Sequence, residues 1–221
     1  RRHTRFRNVT GVQRVLFRSE DVNRAVAAAK ASFESGVWRE MAPLDRKKLM
    51  LRWVELIHAH AEELALLETM NCGKPISDSL NVDVASCANN MQWYAECIDK
   101  LYGEIAPIPR DSVALIEREP MGVVGAVVPW NYPLIITSWK VGAALAAGNS
   151  VVLKPAEQSP LSALLFAELA TQAGLPDGVL NVVPGFGPTA GGALGRHMDV
   201  NKRSEEHTSE LQSRFGISYA V

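Results

Sequence analysis

Apolar residues recur along the chain with two different periods, and the change from one to the other divides it. From Glu20 to Ser35, Val22, Val26, Ala29 and Phe33 fall on one helical face, and Gly36 stands where a left-handed cap ends a helix. Pro43 and Asp45 open a longer helical stretch to about Met70. Its apolar positions Leu49, Trp53, Leu56, Ile57, Leu64 and Leu67 keep to one side, and Gly73-Lys74-Pro75 ends it. A third helix is expected from Ser77 to Leu101, across a Val-Asp-Val patch at 82–84. Pro107 and Pro109 then break helix. The alternation from Val113 to Arg118 predicts a strand that pairs with the region Glu104–Ile108 in a projecting hairpin.

From Gly122 onward short apolar strands alternate with helices. The strands start near Val123, Val151 and Val179, 28 residues apart each time. A helix is predicted from Leu134 to Ala147, ended by Gly148-Asn149. A second is predicted with Ser159 as N-cap and Pro160 at its first position, ending at Gly174. Such alternation implies an α/β fold with a parallel sheet covered on both faces. Ligands in these sheets sit at the carboxyl ends of the strands. Three unusual motifs fall there: Pro129-Trp130-Asn131, Lys154-Pro155-Ala156-Glu157 and Pro184-Gly185-Phe186-Gly187.

Each motif admits a bland reading and a chemical one. Asn131, expected to be a buried amide after its strand, donates to an oxygen that gains negative charge, or else caps the following helix. Lys154 and Glu157 are an exposed i,i+3 pair, or else they hold the hydroxyls of a ribose. The glycines of 185–192 mark tight turns and close packing, and no G-x-G-x-x-G follows the first strand. Tyr132 and Trp139 pack a core or line a substrate channel.

The three cysteines, Cys72, Cys87 and Cys97, are odd in number and lack C-x-x-C spacing, which argues against a disulfide framework or zinc site and for a reducing cytoplasm. His58 and His60 lie two apart and do not share a helix face, so no metal site is expected. No apolar run is long enough to span a membrane.

Both ends depart from these patterns. The eleven residues Arg203–Ser213 and the ten residues Thr10–Ser19 are encoded by the two strands of one DNA string that resembles a sequencing-library adapter, one copy lacking a single base. Residues 1–19 and 203–221 are therefore expected to be translated adapter. The chain carries a formal charge of −1, of which 1–19 contributes +6 and 203–221 contributes −1, leaving −6 for 20–202. With the basic arm set aside, nothing favours nucleic-acid binding.

Together the motifs resemble the NAD(P)-dependent aldehyde dehydrogenase superfamily: Val127-Val128-Pro129-Trp130-Asn131-Tyr132-Pro133, Lys154-Pro155-Ala156-Glu157, Gly73-Lys74-Pro75 and Arg118-Glu119-Pro120-Met121-Gly122. The likeness runs from Glu20 to Lys202, and broad-specificity members acting on amino-aldehydes, such as γ-glutamyl-γ-aminobutyraldehyde dehydrogenases, are the most similar. It implies an amino-terminal helical part over 20–103, a hairpin arm for oligomerisation over 104–120, and an incomplete Rossmann-like βαβαβ unit over 121–202. It further implies Asn131 as the oxyanion donor. Val128, Pro129, Trp130, Lys154, Ala156, Glu157, Gly187 and Gly191 would border the cofactor, and Tyr132 and Trp139 the substrate tunnel. The cofactor is expected to be NAD rather than NADP, because Glu157 repels a 2′-phosphate, and the enzyme is expected to be a cytoplasmic homo-oligomer.

The family chemistry joins a cysteine thiolate to an aldehyde, transfers hydride to nicotinamide, and hydrolyses the acyl-enzyme with a glutamate base. The family's nucleophile follows the Pro-Trp-Asn motif, whereas all three cysteines here precede it. The expectation is thus an amino-terminal fragment without turnover, marginally folded because its sheet edge and helices lack their partners. A non-catalytic nucleotide-binding module is the alternative.

Overall fold

The computed structural model describes residues 18–205, and the expectations for the rest of the two ends lie outside them. The helical part comprises α1 (Ser19–Glu34), α2 (Pro43–Ala59), α3 (Ala61–Cys72), α4 (Ile76–Asp78) and α5 (Ala85–Cys97). The hairpin of β1 (Glu104–Ala106) and β2 (Ala114–Ile116) follows, antiparallel as predicted. The alternating part is β3 (Val123–Val127), α6 (Pro133–Ala146), β4 (Ser150–Lys154), α7 (Leu161–Ala173), β5 (Leu180–Val182), α8 (Gly192–Arg196) and β6 (Lys202–Ser204).

The second sheet is parallel, in the order β5-β4-β3-β6. The chain steps from β3 outward to β4 and β5, then returns to the other side of β3. The crossovers place α6 and α7 on one face and α8 on the other. The strand residues sort by period two. Val124, Ala126, Val151 and Leu153 join the large core under α2, α3, α5, α6 and α7. Val123 and Val152 join a smaller core under α1 and α8. This is a Rossmann-like three-layer α/β arrangement, as the alternating pattern implied. Its reversal of strand order lies beside β3, where such sheets open a ligand crevice.

Gly125 of β3 is where α8 closes on the sheet: a Cβ there would stand 3.3 Å from Leu194 Cγ and 3.2 Å from Val200 Cγ1. β6 is held by its parallel pairing with β3 and by Arg203 Nη2, which donates to His197 O at 3.4 Å, while Lys202 and Arg203 are exposed. Its last two residues come from the segment expected to be adapter.

Three helix boundaries differ from the periodicity. The stretch 43–70 is two helices, because His60 leaves helical geometry at φ −109°, ψ 24°. The break lets α2 run against α5 while both α2 and α3 lie on α7. The region expected as one helix over 77–101 contains a π-helical turn, Ser79–Val84, and closes in a 3-10 turn, Ile98–Lys100. The π turn carries Asp83 into the interior, where it is 1% exposed, and leaves Val82 half exposed. Finally, Ser159 is not the N-cap of α7. The cap is Pro160, the Ser159 hydroxyl is buried without a partner, and the Leu161 N–H donates to Asn71 Oδ1 of α3 at 2.9 Å. An acceptor from a distant helix replaces the local one.

Candidate active site

The three strand ends stand side by side because the parallel ladder continues past the strands themselves. Val128 N–H donates to Lys154 O at 3.1 Å and Val183 N–H to Leu153 O at 2.8 Å. The turns after β3, β4 and β5 therefore face one edge of the sheet.

At the end of β4, Lys154 is 3% exposed and its Nζ lies 3.4 Å from Glu157 Oε2. Burial lowers the lysine's pKa and the neighbouring carboxylate opposes that shift. The exposed surface pair is thus not what forms, since the ammonium is sunk into the fold while Glu157 stays partly open. A buried ammonium with one carboxylate partner keeps donor capacity for another oxygen. Ala156 between them is buried. Across from Lys154, Gly187–Gly191 form a π-helical turn. A Cβ on Gly191 would touch the Lys154 methylenes at 3.8 Å, whereas one on Gly187 would meet nothing within 4 Å. Lys154, Glu157 and the glycine turn make an open cradle with a carboxylate on its rim, which fits a polyhydroxylated ring such as a ribose.

At the end of β3, Val128 is buried, Pro129 is half-buried, and Trp130, Asn131 and Tyr132 are exposed. Asn131 is therefore not the buried amide expected: the turn has already left the sheet, and α6 begins only at Pro133. Nor does Asn131 cap α6. Tyr132 occupies the N-cap position, and the buried Leu134 N–H donates to Glu68 Oε1 at 3.1 Å. The Asn131 side chain forms no hydrogen bond among the described residues, so its amide is free for a ligand. Trp139 and Tyr132 are 45% and 48% exposed, which removes the core-packing reading for both.

The turn is held from beneath by residues not expected among those of the site. Lys74 Nζ donates to the Asn131 carbonyl at 3.2 Å and to Asp83 Oδ2 at 2.6 Å, and lies 4.4 Å from the Tyr132 ring centroid. Cys72 Sγ–H donates to the Trp130 carbonyl at 3.2 Å. Glu68 is fully buried, and burial raises its pKa. Lys140 Nζ donates to Val127 O at 3.1 Å. One signal for this layer was present in the sequence: Asp83 is a lone acid in an otherwise apolar patch of a helical stretch.

Cys72 and Cys87 are not poised as nucleophiles. Burial and the nearby Glu68 push the Cys72 thiol up to about 11, and burial pushes Cys87 higher still. A reactive thiolate needs the opposite environment.

Comparison with known proteins gives this geometry its context. The profile of the Aldehyde dehydrogenase family matches residues 8–204. The chain is 56% identical over 184 residues to the NADP/NAD-dependent aldehyde dehydrogenase PuuC of Escherichia coli, covering 83% of this chain and 37% of that protein. It is 52% identical over 182 residues to the aminoacetaldehyde dehydrogenase of Pseudomonas aeruginosa, covering 82% of this chain and again 37% of the relative. Among solved structures, the aldehyde dehydrogenase KauB from Pseudomonas aeruginosa superposes with a TM-score of 0.84 at 54% identity, over 85% of this chain and 38% of that one. The same values hold for indole-3-acetaldehyde dehydrogenase AldA from P. syringae in complex with NAD+ and IAA. The chain thus spans little more than a third of the length of the curated relatives it matches. With the fold, the strand-end motifs and these likenesses in agreement, the chain belongs to the aldehyde dehydrogenase family.

Proposed function

We propose that this chain is the amino-terminal portion of an NAD-dependent enzyme that oxidises an aldehyde to a carboxylic acid, and that by itself it does not turn over. The observation that carries the reading is the buried Lys154, paired with Glu157 at the strand end next to the Asn131 turn. Lys154 and Glu157 hold the adenosine ribose, with Gly187 and Gly191 beside the adenine and Val128, Pro129, Trp130 and Ala156 along the same edge. Bound NAD would supply the hydride acceptor. Glu157 accepts from a ribose hydroxyl and repels a 2′-phosphate, which favours NAD over NADP. The Asn131 amide steadies the oxyanion formed when a thiolate adds to the aldehyde carbon. Tyr132 and Trp139 line the aldehyde's approach. The thiolate itself is not Cys72, Cys87 or Cys97, since two of these thiols are held protonated by burial and Cys97 lies at the end of α5, away from the turn.

The likeness to an aminoacetaldehyde dehydrogenase supports an amino-aldehyde as the substrate class. The β1–β2 hairpin exposes Ile105, Val113 and Leu115, apolar residues on a projecting ribbon, and we assign it to self-association in a cytoplasmic oligomer. Among the described residues no helix is long and apolar enough to cross a membrane. Residues 1–19 and 203–221 we read as translated adapter. Codons that differ from the adapter string would end that reading.

Calorimetry with NAD, with NADP and with NAD plus an amino-aldehyde tests the whole. Binding of NAD in preference to NADP, with no NADH formed, is expected. NADH production by this chain overturns the assignment of its thiols. No detectable NAD binding by a folded chain overturns the ribose site. The Lys154–Glu157 pair, beside Cys72 and Cys87 thiols raised by burial, also favours a second reading, a non-catalytic nucleotide-binding module. Micromolar NAD binding by a stable monomer would support it.

A further inference from the structure

We propose that Lys74, in the Gly73-Lys74-Pro75 turn, is a positioning residue that sets the orientation of Asn131, with Asp83 as its anchor. The inference rests on the reading of Asn131 as the amide donor, and goes beyond it by assigning the residues that aim that amide.

A side chain that is exposed and unbonded must be directed by its own backbone. For Asn131 that backbone lies between Pro129 and Pro133, neither of which carries an N–H to anchor it. The turn is held from beneath through its carbonyls. Two of them are bonded from below by neighbouring residues of one segment: Trp130 O by Cys72 and Asn131 O by Lys74. Cys72 is a weak thiol donor, whereas Lys74 brings a full charge, so Lys74 dominates.

An ammonium on four rotatable carbons positions nothing unless it is itself held. Asp83 does that at 2.6 Å, from a site where its own side chain is 1% exposed. The carboxylate reaches this place because it lies in the π-helical turn Ser79–Val84. Single π turns inside helices frequently mark functional positions. The ammonium also sits 4.4 Å from the Tyr132 ring centroid, so one charge fixes both the Asn131 carbonyl and the aromatic ring that follows it. Gly73, at φ +72°, makes the left-handed turn that brings Lys74 under the loop.

The test is nuclear magnetic resonance of the full chain without substrate. The Asn131 side-chain amide pair is identified by its loss in Asn131→Asp. Its order and the reactivity of the Cys72 thiol in a Cys97→Ser background are then followed. Loss of a charge-assisted hydrogen bond predicts that Lys74→Met broadens the Asn131 amide pair and speeds Cys72 modification about tenfold. Backbone amides of β4 and α7 should stay in place. Asp83→Asn should move the same signals in the same direction. An unchanged Asn131 pair in Lys74→Met overturns the proposal. So does a loss spread evenly over the whole backbone in both variants, which would make the pair a structural ion pair only. The readout needs no catalysis. A Lys74-dependent turn together with an Asn131 variant that leaves turnover of the longer enzyme intact would sink the oxyanion reading alone.

Discussion

Glu68 offers a quantitative check on how the turn before α6 is built. It is fully buried, and its Oε1 accepts from the buried Leu134 N–H at 3.1 Å, in the first turn of that helix. Glu68→Ala orphans this N–H, at about 1–3 kcal/mol, and removes with the carboxyl one buried methylene worth about 0.8 kcal/mol, for roughly 3 kcal/mol in total. With a denaturant slope of about 2–3 kcal/mol/M, the urea midpoint should fall by about 1 M. Glu68→Gln keeps both the volume and an acceptor, so it separates charge from packing. Burial raises the Glu68 pKa above its ordinary 4.5, with Asp83 adding to the shift and the Leu134 N–H and Lys74 opposing it. A carboxyl whose folded-state pKa is raised contributes stability that is full below the unfolded value and is lost as pH rises through the folded value. Wild type should therefore lose stability as pH increases from about 4.5, while Glu68→Gln should not. The glutamine variant should match wild type at acid pH and exceed it near neutrality. The Ala variant should show its largest deficit at acid pH, where Glu68 is neutral. Urea titrations from pH 4 to 8 read all three. A glutamine variant less stable than wild type at neutral pH, or a difference that does not change with pH, would refute the reasoning.

Other changes probe the frame around the cradle. Glu157→Gln should weaken NAD binding about tenfold, the loss of a hydrogen bond to a charged acceptor, and narrow the preference over NADP, both read by calorimetry. Asn149→Ala removes the acceptor shared by Met121 N–H at 2.7 Å and Gly122 N–H at 3.1 Å, and should cost about 2–4 kcal/mol in urea unfolding. Gly122→Ala should cost about 2 kcal/mol or more, because φ there is +128° and the new methyl would collide with Asn201 Oδ1, which accepts from Val123 N–H. A thermal midpoint equal to wild type would contradict this.

Much of the architecture was legible because burial on one face leaves a period in the sequence. Val22, Val26 and Ala29 mark α1, and the valines of β3 and β4 mark strands covered on both sides. The glycines at 36, 73 and 174 end helices where their positions said, each with positive φ. The failures fall where a local signal competed with a distant partner. Ser159 had the chemistry of an N-cap, but Asn71 from α3 satisfied the helix instead. The apolar face ran unbroken through His60, and only the packing of α2 and α3 required a break there. Asn131 was placed correctly at a strand end and wrongly buried, since hydrophobic neighbours in sequence do not report which way a proline-bounded turn leaves the sheet.

The order of elements, the parallel sheet and the residue types at three strand ends were written in the sequence alone. Period, turn chemistry and motif are properties of neighbouring residues, and neighbours are what a sequence records. Tertiary structure decided what those residues meet. It sank the Lys154 ammonium beside Glu157, gave the Leu134 N–H to Glu68, and brought the Lys74–Asp83 pair, from a turn and a π-helical segment far back in the chain, beneath the carbonyl of Asn131. Charges and amides act through distances of a few ångströms, and the fold alone sets distances between residues so far apart in the chain.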